Sequence, residues 1–299
     1  MALQTEIDAP EEQAVLAEAV ERIKVLARKG GAPMAGVASV EAINEYAPPG
    51  AQPTDILPEC RTVVAVGVES SPGGAWHTPD PRIMGIVSNN RLSKAKDVAW
   101  KIAEFIESEY GYFAMPYGTY ALGSGGWDPV LSFKLVAELA GIGSRSLAGG
   151  MILNADHGFP YIGLCLTSMP LPATGPVEED VCPHPSCFKM WEQYGTTPCI
   201  NICPMCLSGS VDEDGKIEYW AYDRHRCAPR ANYSRPRLLN MLADVMTEED
   251  PERRKILIHG SEFSHHISAI ANSTEISGQC FECIRVCPVD RNRRLKQRS

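Results

Sequence analysis

The sequence predicts an α/β sandwich with a separate cysteine-dense module attached behind it. Three observations carry that expectation. Apolar runs of strand character alternate with runs of helical period as far as Met169. A proline-rich stretch, Pro170 to Pro176, then breaks the pattern. Beyond it, nine of the eleven cysteines fall between Cys182 and Cys287.

Taken in order, Val15, Leu16, Ala19, Val20, Ile23 and Leu26 recur at helical spacing from Pro10 to Lys29, and Gly30-Gly31 stops the run. Ala35 to Val40 reads as a short strand, followed by a brief helix and a turn at Pro48-Pro49-Gly50. Arg61 to Glu69 is a β-branched apolar run bounded by turn signals, as a buried central strand requires. The loop Ser70 to His77 then falls where an open α/β sheet opens its ligand crevice.

An amphipathic helix follows from near Leu92 to Tyr110, with Ala95, Val98, Ala99, Ile102, Phe105 and Ile106 on one face. Tyr112 to Gly126 reads as a strand entering a glycine-rich loop, and Pro129 to Leu139 as a helix ended by Ala140-Gly141-Ile142-Gly143. Two strands, Gly150 to Asn154 and Tyr161 to Met169, are joined by a turn at Asp156-His157-Gly158. The expected division is a helical segment (1–34), an α/β core (35–176) and a cysteine module (177–299) with a helical insert at about 234–271.

With 299 residues and 44% hydrophobic content the chain can bury a large core. No run of 18 apolar residues exists, so no transmembrane segment is expected. The N-terminus, MALQTEIDAPEEQ, is acidic and lacks a secretory pattern, which predicts a cytoplasmic protein. A net charge of -9 argues against nucleic acid as a partner. The basic cluster from Arg291 to Arg298 is the exception, and it reads as a solvated terminus.

The cysteines carry the chemistry. Cys280, Cys283 and Cys287 form C-x2-C-x3-C-P, and Cys199 and Cys203 form C-x3-C-P. In two-cluster ferredoxins the cysteine before such a proline crosses to the other cluster. Soft thiolates select iron–sulfur or zinc over hard cations. Zinc modules pair C-x2-C with a second C-x2-C or with histidines, and disulfides need an oxidising compartment and usually a small domain. The paired Cys-Pro endings therefore favour two 4Fe-4S clusters. Cys60 and Cys165 read as buried small hydrophobes, and His265-His266 as a surface pair.

The segment Leu131 to Pro172, with A-G-I-G at Ala140, D-H-G-F-P at Asp156 and L-T-S-M-P-L-P at Leu166, resembles the core of the reductive dehalogenase and epoxyqueuosine reductase superfamily. The stretch Ile56 to Gly67 is similar to that family's strand entry, and Asp223 to Cys227 with Cys280 to Pro288 to its second cluster motif. The likeness spans about residues 35 to 290. It implies a flavin-reductase-like (nitroreductase-type) corrinoid-binding sandwich carrying base-off cobalamin and fed by two 4Fe-4S clusters. The family leaves cobalt without a protein histidine ligand, and His157 adjoins Asp156 here rather than forming D-x-H-x2-G.

By that resemblance Cys203, Cys227, Cys280 and Cys283 hold one cluster. Cys199 and Cys287 hold the other, with two of Cys182, Cys187 and Cys206. Gln193 and Thr196 stand where the family has its first two cysteines, so their roles must pass elsewhere. Cys182 and Cys187 lie upstream, on the side from which those ligands come. Cys206 is the expected spare, because it follows Cys203-Pro204 by only one residue and would turn back on a committed thiolate. Thr167-Ser168 replaces the family's T-D step.

Near the glycine-rich loop the candidate proton donors are Tyr120, Asp128 and Tyr117, with Arg145 as a partner favouring an anionic tyrosine or carboxylate. The family uses a tyrosine in dehalogenases and an aspartate in the epoxyqueuosine branch. Core packing of the tyrosines and a helix-capping role for Asp128 are the competing readings. Gly123, Gly125 and Gly126 are the candidates for close approach to the corrin, with Gly158 in the following turn; Trp127 and Trp220 read as packing or pocket walls.

The resulting expectation is a cobalamin-dependent reductase, dehalogenase-like, taking electrons from a low-potential donor such as ferredoxin or flavodoxin to a small-molecule substrate. The alternatives are a non-catalytic electron-transfer or corrinoid-handling protein, and an epoxyqueuosine reductase acting on tRNA.

Overall fold

The computed structural model describes residues 10–71, 73, 77, 81–117, 131–223, 226–227, 238–260 and 282–289. Its centre is a four-stranded sheet of β1 (Met34–Ser39), β2 (Thr62–Glu69), β3 (Ala114–Tyr117) and β6 (Pro160–Thr167). The spatial order is β1-β2-β6-β3, and every pairing is antiparallel.

Strand β2 is interior because both faces carry apolar side chains. Val64, Val66 and Val68 point to one core, while Val63 and Ala65 point to the other. On the first face lie α1 (Pro10–Lys29) and α3 (Pro81–Tyr110). The first supplies Leu16, Ala19, Val20, Ile23 and Ala27, and the second Ala95, Val98, Ala99, Ile102 and Ile106. On the opposite face α2 (Val40–Asn44) and α4 (Phe133–Leu139) bury Ile43, Val136 and Ala137 against Leu164 and Leu166. Each fully buried Ile or Leu of this kind contributes ~1.5–3 kcal/mol.

Gly163 permits one close contact: a methyl group there would collide with the Ala95 carbonyl of α3. Gly36 plays the same part on the other face, against the Ala140 carbonyl at the end of α4.

The structure departs from the sequence expectation in specific ways. A continuous apolar strand is usual in parallel sheets, yet β2 is antiparallel to both neighbours and is buried because helices cover both faces. The crevice rule for parallel strands therefore does not apply at Ser70. Helix α3 begins at Pro81 rather than near Leu92. A small ladder, β4 (Ser144–Arg145) with β5 (Ile152–Leu153), precedes β6.

In the cysteine module α5 (Pro185–Tyr194) and α6 (Pro198–Ile202) lead into an unforeseen hairpin of β7 (Leu207–Val211) and β8 (Ile217–Tyr222). Asp212 closes its turn by accepting from the amides of Asp214 and Lys216. Helices α7 (Leu238–Thr247) and α8 (Pro251–His259) occupy part of the expected helical insert, and α9 (Glu282–Arg285) precedes the last cysteine. Among the described residues no helix is long and apolar enough to cross a membrane.

Candidate functional site

Eight cysteines of the module line two cavities, four to each. The first cavity takes Cys182, Cys187, Cys199 and Cys287. The Leu147 amide points at Cys182 Sγ over 3.5 Å, tying this thiol to the α/β core. Cys187 sits in the first turn of α5, whose N-cap His184 accepts from the Ser186 amide. Cys199 occupies the first turn of α6, with the Thr197 hydroxyl 3.3 Å from its sulfur. The Cys287 amide donates to Ile284 O at 2.9 Å, a turn that brings its thiol back from α9.

The second cavity takes Cys203, Cys206, Cys227 and Cys283, together with Lys134, Gly149 and Tyr222. Cys203 is the C-cap of α6, and the Cys206 amide donates to Cys203 O at 3.1 Å. That turn faces both thiols of a C-x2-C step toward one space. Asp223 fixes the remaining approach: its amide donates to Cys206 O at 2.9 Å, and its carbonyl accepts from Cys227 N at 3.0 Å.

Helices α6 and α9 therefore each send one cysteine to either cavity: Cys199 and Cys203 from the first, Cys287 and Cys283 from the second. That exchange is similar to the crossover of cysteines in two-cluster ferredoxins.

Electrostatics separate these thiols from reactive ones. Burial pushes the Cys182 thiol up to about 12 and Cys187 up to about 11. Cys206 is pushed up to about 12 by burial and by its neighbours Cys203 and Cys227. Such thiols are poor nucleophiles without a metal, whereas metal binding removes their protons directly. Lys134 is pushed down to about 8, chiefly by burial and then by Arg145, while Cys283 opposes the shift. Its Nζ donates to Gly149 O at 2.8 Å and lies 5.6 Å from the centre of the Tyr222 ring.

Donor chemistry fits clusters better than single ions. A zinc ion needs four ligands within ~2.3 Å of one point. Among the described residues no three His, Cys, Asp or Glu side chains gather that way. A cubane instead spreads its four thiolates over four irons. The first cavity also holds Ser146, 1% exposed, whose Oγ has no hydrogen-bond partner among the described residues.

The remaining sequence candidates scatter. Tyr117 is buried in the core, stacked on Phe133 at 5.4 Å, and its hydroxyl accepts from the Leu131 amide at 3.3 Å. This is the placement of a packing aromatic. Arg145 donates to Glu138 at 2.8 Å and lies over the Trp220 ring, so its carboxylate partner is Glu138. Gly158, at φ 67°, shapes the turn that Asn154 pins through Asp156 N and His157 N. His157 in turn meets Glu69, 2.6 Å away. Cys60 and Cys165 are buried in the α/β core, and burial raises both thiols. Tyr120, Gly123, Gly125, Gly126, Trp127, Asp128, His265, His266 and Cys280 lie outside the described residues.

Cys206, the expected spare, lines the second cavity beside Cys203. Its turn carries the sulfur into the second cavity rather than away from it, because Cys203 and Cys206 serve the same space. Lys134, Ser146 and Tyr222 were missed. Nothing local marks them, since each reaches a cavity only through tertiary packing.

No protein-family profile and no curated protein matches the sequence. Solved structures do. An epoxyqueuosine reductase solved with a modified tRNA stem loop superposes with a TM-score of 0.52 at 18% identity, over 91% of this chain and 65% of that one. The catabolic reductive dehalogenase NpRdhA superposes with a TM-score of 0.50 at 17% identity, over 94% of this chain and 38% of that one. The chain thus spans less than two thirds of the length of either. It has the mixed α/β fold, built on antiparallel sheets, that these structures share.

Proposed function

We propose that this chain is a cobalamin-dependent iron–sulfur oxidoreductase of the reductive dehalogenase type. Two 4Fe-4S clusters pass electrons to a base-off corrinoid that reduces a small organic substrate. The observation that carries this reading is the division of eight thiols into two sets of four, with α6 and α9 crossing between them. Similarity of fold to a reductive dehalogenase supports the reaction class.

Cys182, Cys187, Cys199 and Cys287 hold one cluster. Cys203, Cys206, Cys227 and Cys283 surround the other, and Cys280 adjoins it in sequence through its C-x2-C step with Cys283. Residues 177–299 form the two-cluster module on this reading, and residues 35–176 the corrinoid-binding core. When bound, the corrinoid supplies a strongly reducing cobalt centre. The residues proposed to approach it, Gly123, Gly125 and Gly126, and the proposed proton donors Tyr120 and Asp128 fall between β3 and α4 in sequence, outside the described residues.

The protein's tasks are to hold the clusters dry, to place the substrate and to supply one proton. For a halogenated substrate the balance is R–X plus two electrons and a proton giving R–H and halide. A ferredoxin or flavodoxin is the proposed donor of those electrons. A reducing compartment such as the cytoplasm is proposed, since it keeps cysteine thiols available for cluster assembly.

The test is anaerobic reconstitution with iron, sulfide and cobalamin, followed by EPR. A base-off cob(II)alamin signal is expected, and absence of corrinoid binding refutes the reading. Substrate-dependent reoxidation with no partner present separates an enzyme from an electron carrier.

A second reading is supported by the epoxyqueuosine reductase structure, whose ligand is a tRNA stem loop. That likeness weakens the argument from net charge against nucleic acid. A gel shift with tRNA at low salt, where phosphate contacts are strongest, discriminates: binding supports action on tRNA and its absence excludes it.

A further inference from the structure

Ser146 is the odd polar group in the first cavity. Its side chain is 1% exposed, and its Oγ finds no partner among the described residues. A buried hydroxyl left unpaired costs ~1–3 kcal/mol, so such a group calls for an explanation. The surroundings supply one. Ser146 shares the cavity wall with Cys182, Cys187, Cys199 and Cys287. Two other donors there already address sulfur: the Leu147 amide lies 3.5 Å from Cys182 Sγ, and the Thr197 hydroxyl 3.3 Å from Cys199 Sγ. A cluster held by those four thiols would bring sulfur acceptors to the wall that Ser146 shares.

We propose that Ser146 is a positioning residue for the first cluster, donating its hydroxyl hydrogen bond to a sulfide or thiolate sulfur and so setting that cluster's reduction potential. This rests on the two-cluster reading. Reduction adds negative charge to the cluster, and a hydrogen bond to sulfur stabilises that charge. The second cavity has a different device, the Lys134 ammonium, so the two clusters are tuned by different chemistry. Ser146 precedes Leu147 and Ala148 in the segment between β4 and β5, which fastens the α/β core to the cysteine module. Its hydroxyl therefore couples the placement of the core to the electronics of the nearer cluster.

The test compares the reconstituted wild-type chain with Ser146→Ala and Ser146→Thr by redox-monitored EPR. Ser146→Ala is expected to keep both clusters and to make one of them about tenfold harder to reduce at fixed potential, about 59 mV for one electron. The other cluster serves as the internal control, and Ser146→Thr restores the wild-type value. The wild-type reduced cluster is also expected to show a proton coupling that disappears in D2O and is absent from Ser146→Ala.

Unchanged potential and coupling in Ser146→Ala overturn the proposal while leaving the clusters intact. If that variant fails to hold its cluster, Ser146→Gly takes its place in the same comparison: loss of one exchangeable coupling relative to the wild type supports the proposal, and an unchanged set of couplings overturns it. A wild-type chain that takes up no cluster at all removes the two-cluster reading itself.

Discussion

Lys134 Nζ donates to the Gly149 carbonyl at 2.8 Å, in the wall of the cavity that Cys203, Cys206, Cys227 and Cys283 share. Without a cluster this ammonium is poorly placed. Burial and then Arg145 hold its pKa at about 8, with Cys283 opposing the shift. A cubane with four thiolates brings net negative charge to that spot, and the lysine then has its counter-charge. Lys134→Met should therefore lower the potential of the second cluster, on the order of 60 mV for a tenfold change in a one-electron equilibrium. Redox titration followed by EPR checks it; an unchanged potential means the ammonium does not sense the cluster.

The spare cysteine gives a second prediction. Cys206→Ala should lose one cluster, about four of eight irons per chain, because its thiol shares the cavity with Cys203, Cys227 and Cys283. Iron counting after anaerobic reconstitution reads this directly, with Cys280→Ala as the comparison. Full iron and a wild-type EPR spectrum in Cys206→Ala would show that its place is taken by another thiol.

Cluster removal should leave a chain that is sensitive to alkali. Cys182, Cys187 and Cys206 have folded-state pKa values of about 12, 11 and 12, raised from 9.0. The folded chain thus holds protons that the unfolded chain releases above about pH 9, and stability falls from there toward the raised values. Lys134, lowered from 10.5 to about 8, works the other way: its contribution rises over that window as pH increases. Three thiols outweigh one lysine. Urea midpoints of the cluster-free chain should drop between pH 8 and 10, and drop more in Lys134→Met, which removes the opposing contribution. A flat profile contradicts the argument.

Gly163→Ala tests the fold that carries the site. The new methyl group meets the backbone oxygen of Ala95, which cannot rotate away as a side chain could. Overpacking of this kind costs about 1–3 kcal/mol. Chemical denaturation should show that loss, and a neutral result would mean that α3 sits farther from the sheet.

The sequence makes some parts of this molecule legible and hides others for physical reasons. Helix α1 is readable because Leu16, Ala19, Val20, Ile23 and Ala27 form one buried stripe. Strand β2 is readable as buried, but its direction is not, since an apolar run looks the same whether helices cover a parallel or an antiparallel sheet. The hairpin β7–β8 carries a turn signal at Asp214-Gly215, yet its strands are only partly buried and lack clean alternation. The cysteine spacing and the prolines after Cys203 and Cys287 are what raise the expectation of cluster chemistry. Which thiols share a cavity depends on α6 and α9 lying together, and that is tertiary information. Lys134 and Ser146 are silent for the same reason.

The central claim is that these thiols form two four-thiolate sites, and the most direct test is the iron and acid-labile sulfide content of the anaerobically reconstituted wild-type chain. The account predicts about eight irons and eight sulfides per chain, with EPR of two interacting reduced cubanes. One or two tightly bound zinc ions without sulfide, or eight irons that persist when Cys182 and Cys187 are both replaced by Ala, would contradict it.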